Sequence, residues 1–107
     1  MDRDVPNLEE WISRILDPSP EIFEDAYWGQ RPNPTLVVPR LIELLKEIDD
    51  SYSRGKILEL LGESGDLSVA DVLSRDLSHP DSETRNWAKA ALGALHRGAP
   101  WQPEMGQ

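Results

Sequence analysis

Three pairs of neighbouring carboxylates, Glu9-Glu10, Glu24-Asp25 and Asp49-Asp50, are the first candidates for chemistry in this chain. Paired acids can share a proton and divide general acid and general base work between them. Here each pair lies on or beside a stretch with helical periodicity, where adjacent acids ordinarily form a solvated face. The two histidines, His79 and His96, fall at no metal-ligand spacing, and cysteine is absent, which removes thiolate nucleophiles, thiolate ligands and disulfides. No Gly-rich phosphate loop is present, and the serines stand at helix starts without a His-Asp constellation. The residues therefore point away from catalysis, and the expectation is a protein that is not an enzyme and holds neither metal nor cofactor.

A second spacing carries more. Asp50-Ser51-Tyr52-Ser53-Arg54 leads to Leu61-Gly62, and 31 residues later Asp81-Ser82-Glu83-Thr84-Arg85 leads to Leu92-Gly93. Asp, Ser, Arg, Leu and Gly align without a gap. Self-similarity at this period marks stacked helical repeats, whose function lies on a surface. Each Asp suits the cap of a helix. Each Arg, one turn later, suits a bond to the neighbouring repeat's Asp or to carbonyls. A structural role is expected for both Asp-Arg pairs.

The elements that would carry these residues are all helical. Leu8, Trp11, Ile12, Ile15 and Leu16 keep helical spacing behind Asn7 as cap, and Asp17-Pro18 ends the run. Ser19-Pro20 starts a second helix with the stripe Ile22, Phe23, Ala26 and Tyr27, which Gly29 stops. Residues 30–34 read as a rigid proline loop. Val38, Leu41, Ile42, Leu45 and Ile48 form the strongest stripe, with Pro39 starting or kinking that helix. Asp50 or Ser51 caps a fourth helix with core residues Ile57, Leu60 and Leu61. Leu67, Val69, Val72, Leu73 and Leu77 predict a fifth, capped by Asp66 or Ser68. Ala88, Ala91, Leu92 and Leu95 predict a sixth, capped by Asp81 or Ser82 and stopped by Gly98. No stretch alternates with a period of two, so the expected class is all-α: six helices in three antiparallel pairs.

Residues 36–98 resemble the short HEAT-like repeats related to phycobilisome lyases. Pro39, Leu41, Leu44 and Leu45 match the outer helix of the unit. Asp50, Arg54, Leu61, Gly62 and Gly65-Asp66 match the inner helix, and Asp81, Arg85, Ala88, Ala91, Leu92 and Gly93 match it again. The resemblance implies a short right-handed α-solenoid. One domain would cover residues 1–98, with 7–30 as a degenerate capping repeat and 36–66 and 67–98 as HEAT-like repeats. Residues 99–107 would form a flexible tail. Residues 7–30 depart from the pattern, lacking both the Arg and the Leu-Gly.

The chain has 20 Asp and Glu against 11 Lys and Arg, a net charge of −9. The first fifty residues hold 12 of the acids and 5 of the bases, so the field is strongest there. Such a field repels nucleic acid and anionic membranes and draws in basic proteins, though it also serves solubility. No apolar run reaches the ~20 residues of a membrane span, and the start of the chain has no basic-then-apolar leader. A cytoplasmic protein is expected.

Four tryptophans and two tyrosines are many for 107 residues. Aromatic side chains serve both cores and interface anchors. If the inner helices line a concave face, as the resemblance implies, their exposed side presents Glu24, Asp25, Trp28, Tyr52, Glu59, Glu63, Asn86 and Lys89. This acidic strip with aromatic anchors is the expected partner-binding site. Trp87 divides between packing and interface roles. The leading functional expectation is a non-catalytic protein-binding module. Most concretely, it would be an immunity protein that neutralises a basic partner such as a bacterial toxin by occluding its surface. A scaffold or assembly factor, possible as a homodimer, and an accessory of a lyase-type system are the alternatives. The sequence leaves the oligomeric state open.

Overall fold

Asn7 starts the first helix: its side-chain Oδ1 accepts the N–H groups of Glu9 (3.0 Å) and Glu10 (3.2 Å), satisfying donors that have no partner within the helix. That helix, α1, is Leu8–Ile15 in the computed structural model, which describes residues 7–102. The helices that follow are α2 (Pro20–Trp28), α3 (Pro34–Leu45), α4 (Ser51–Gly62), α5 (Ala70–Arg75) and α6 (Ser82–Arg97). Single 3-10 turns, Leu67–Val69 and Asp76–Ser78, flank α5. Among the described residues there is no strand, so the all-α class holds. No described helix is long and apolar enough to cross a membrane.

The described chain divides into two units, residues 7–37 with Gln102, and residues 38–101. In the first, α1 packs on α2. Trp11 is 2% exposed, and its indole N–H donates to the Ala26 carbonyl at 3.1 Å, so the polar edge of a buried ring is satisfied across the helix pair. Gln102 belongs to this unit: its Nε2 donates to the Gly29 carbonyl (2.7 Å) and its Oε1 accepts the Arg31 N–H (3.0 Å). This reciprocal amide clamp holds the turn after α2. Residues 103–107 of the expected tail lie outside the described residues.

In the second unit α4 lies along α6, and α5 with its second 3-10 turn packs against α6. Two glycines set the closeness of α4 to α6. A Cβ on Gly55 would stand 2.6 Å from the Trp87 ring, and one on Gly62 would stand 2.5 Å from the Ala91 carbonyl oxygen and 2.9 Å from its Cα. Ile57, Leu58, Leu60, Leu61, Val69, Leu73, Ala88, Ala91 and Leu95 are buried here. Leu58 was not among the expected core residues; α4 is buried on most of its circumference, so no single stripe describes it.

The two repeat signatures are built alike. Asp50 caps α4, its Oδ2 accepting Ser53 N–H at 2.9 Å; Asp81 caps α6, its Oδ2 accepting Thr84 N–H at 2.9 Å and the Thr84 hydroxyl at 3.0 Å. The bond from the Ser53 backbone N–H, then that from its hydroxyl, lowers the Asp50 carboxyl from its ordinary range. The Thr84 backbone and hydroxyl do the same for Asp81. A carboxyl whose folded pKa is depressed stabilises the fold above its unfolded pKa, and that contribution fades as pH falls through the folded value. Stability is therefore expected to decline below about pH 4. Urea midpoints measured from pH 7 downward should show a flatter acid limb in Asp50→Asn combined with Asp81→Asn than in the wild type.

Several expectations need correction. α3 starts at Pro34, inside the expected loop, with Asn33 Oδ1 accepting the Thr35 N–H at 2.9 Å, and Pro39 lies within the helix. Asn-Pro here is a cap followed by the first helical residue, where a missing N–H costs nothing. Ile48 falls beyond α3, which ends at Leu45. The fifth helix is shorter than expected. Leu67 (69% exposed) and Leu77 (41%) sit in the 3-10 turns, whose three residues per turn rotate them off the stripe of α5. Ile22, expected in the α2 stripe, is also exposed.

Candidate functional site

The 3-10 turn after α5 carries Asp76 inward instead of Leu77, and there it meets Arg54. Arg54 Nε and Nη2 donate to the two carboxylate oxygens at 2.9 and 3.0 Å, while Nη1 donates to the carbonyls of Leu45 (2.7 Å) and Ile48 (2.6 Å). The side chains are 13% and 8% exposed. The fork is fully used, two bonds on a carboxylate and two on the chain end of α3, so this pair ties elements together and leaves no reactive group. Arg85, at the matching place on α6, donates through Nη1 to the carbonyls of His79 (2.7 Å) and Pro80 (2.9 Å) and is exposed.

His79 is likewise occupied by local structure, its Nδ1 accepting the Asp81 N–H at 3.0 Å. Among the described residues no three His, Asp or Glu side chains converge where a metal ion could bind. No buried side-chain polar atom among them lacks a hydrogen-bond partner. The remaining candidate residues lie on two stretches of the described surface.

The predicted partner-binding residues fall into separate settings. In the first unit Glu24, Asp25 and Trp28 line a shallow hollow at the end of α2, next to Gly29. Trp28 is 42% exposed and meets Tyr27 edge to face at 5.0 Å between centroids. In the second unit Glu59 on α4 and Glu63, the C-cap one turn later, border a groove of about 170 Å³ against α6. Trp87, Ala90, Ala91, Ala94 and Arg97 complete its lining. Helical spacing puts the two carboxylates on one face, and Gly55 lets the Trp87 ring stand against α4.

Tyr52 does not line that groove. It is 51% exposed, and the Lys56 ammonium sits 4.1 Å from its ring centroid, a cation–π contact that engages its face within the chain. Asn86 and Lys89 are exposed on α6 and also stand outside the groove lining. The sequence left Trp87 divided between packing and interface, and did not point to Ala94 or Arg97. The available signal was Gly55 itself, a helix glycine that must face something large or close. Comparison with protein families, with curated proteins and with solved structures finds no match to this chain.

Proposed function

We propose that this chain is a non-catalytic protein-binding module, a short HEAT-like α-solenoid that neutralises a basic protein by covering its active surface. The most concrete form is an immunity protein against a basic bacterial toxin, acting in the cytoplasm. The observation that carries the reading is the groove between α4 and α6, whose lining combines the carboxylates of Glu59 and Glu63 with Trp87, three alanines and a single cation, Arg97. A lysine or arginine side chain entering it would find charge and an aromatic face together. The net charge of −9 would speed the encounter, and Trp87 would contribute to retention. The 31-residue repeat supports the solenoid part of the proposal, since α4 and α6 share the Asp cap and an Arg that grips the carbonyl six residues upstream.

The test is affinity capture from the native host at low and moderate salt with wild type and with Glu59→Lys/Glu63→Lys side by side. The expected result is one basic protein, retained by wild type and reduced at least about tenfold by the double variant, whose circular dichroism is unchanged. Equal capture by both proteins removes the groove from the function. A second reading, a scaffold acting through apolar contact, is favoured by the exposure of Leu67 and Leu77. Recovery only of the chain itself or of subunits of a large assembly would select it.

A further inference from the structure

We propose that the solvent face of α6, from Arg85 to Gly93, is a docking surface for a carboxylate-bearing helix of a partner protein. The argument starts from the two copies of the repeat. In the first, three features receive the following segment: Arg54 forks the Asp76 carboxylate, the Ser51 hydroxyl donates to Glu83 at 2.8 Å, and Gly62 admits the backbone of Ala91. In the second, the same three residue types recur as Arg85, Ser82 and Gly93.

Arg85 keeps half of the pattern. Its Nη1 holds two carbonyls, as that of Arg54 does, but its Nε and Nη2 make no hydrogen bond among the described residues. Those are the two atoms with which Arg54 binds a carboxylate. Gly93 shows the same vacancy in shape: a Cβ there would meet only the Arg97 guanidinium, at 3.6 Å, against the 2.5 Å contact at Gly62. Glycine weakens a helix interior, and at Gly62 the close approach of α6 explains it. At Gly93 no packing within the described residues does. The donor fork and the gap are eight residues apart in both copies, about 12 Å along the helix.

Charge selects the occupant. Arg85 and Lys89 are exposed on this face, and Arg97 follows on the last turn, a cationic stripe in a chain whose net charge is −9. A helix carrying Asp or Glu near one end and small residues opposite Gly93 would satisfy both the fork and the gap. A second copy of the chain is disfavoured by the mutual repulsion of two strongly acidic molecules. The surface does not rest on the basic-partner reading, since it selects the opposite charge.

The probe is a helix-stapled peptide of residues 66–79, capped at both ends, which contains the Asp76 that Arg54 already binds. It is titrated into the isotope-labelled full chain by NMR. Shifts are expected on the amides of residues 82–93 and on the Arg85 Nε–H. Affinity should fall about tenfold in Arg85→Gln, in Lys89→Glu, and with Asn in place of Asp76 in the probe. Lys89→Glu guards against a folding defect in the first variant, because Lys89 makes no described contact. Shifts centred elsewhere, equal affinity for the Asn probe, or no shift up to about 1 mM would overturn the proposal. Concentration-dependent shifts on the same residues without probe would make a second copy the occupant and overturn the partner assignment.

Discussion

Arg54→Ala is expected to lower the stability of the protein by about 3–5 kcal/mol. The size follows from what is left behind. Asp76 is 6% exposed and would be left buried without its bidentate partner, while the Leu45 and Ile48 carbonyls would lose their donor. Arg85→Ala, by contrast, removes an exposed side chain that binds only two carbonyls, and should cost less than about 1 kcal/mol. Urea denaturation of both variants checks the contrast; comparable losses would show that the fork on Asp76 is not what distinguishes the two arginines. Arg54→Met combined with Asp76→Leu should recover most of the loss, because replacing both members of a buried ion pair removes the stranded charge.

The contrast between those arginines also shows what the sequence could and could not convey. The Asp caps and the positions of α1, α2, α4 and α6 were legible because cap chemistry and helical periodicity are local. The carboxylate that Arg54 binds was not, since Asp76 lies 22 residues away and faces inward only because a 3-10 turn replaces the end of α5. The stripe through Leu67 and Leu77 misled for the same reason: a regular α-helical phase was assumed across turns that do not keep it. α3 starts at Asn33-Pro34 and not at Pro39, because an Asn cap before a proline is as good a helix start as a proline further on. For the candidate site, Glu59 and Glu63 were legible as neighbours one helical turn apart. Trp87 became part of their groove only through its packing on Gly55, a contact between helices that single-helix periodicity does not encode.

The same substitution should have opposite signs at the two repeat glycines. Gly62→Ala drives a methyl group into the Ala91 backbone, 2.5 Å from its oxygen and 2.9 Å from its Cα. Backbone cannot swing aside as a flexible side chain can, so α6 must move off α4, which opens the packing around Leu58 and Leu61. A loss of about 1–3 kcal/mol is expected, as for other overpacked cores. Gly93→Ala places its methyl group in open space, with only the Arg97 guanidinium at ordinary contact distance, inside the sixteen-residue helix α6. There the gain in helix propensity, about 0.5–1 kcal/mol, is unopposed. Thermal unfolding of the two variants decides the matter: a lower midpoint for Gly62→Ala and a higher one for Gly93→Ala is the expected pair. A lower midpoint for Gly93→Ala in the isolated chain would mean that something already packs against that face, and would remove the vacancy on which the docking surface depends.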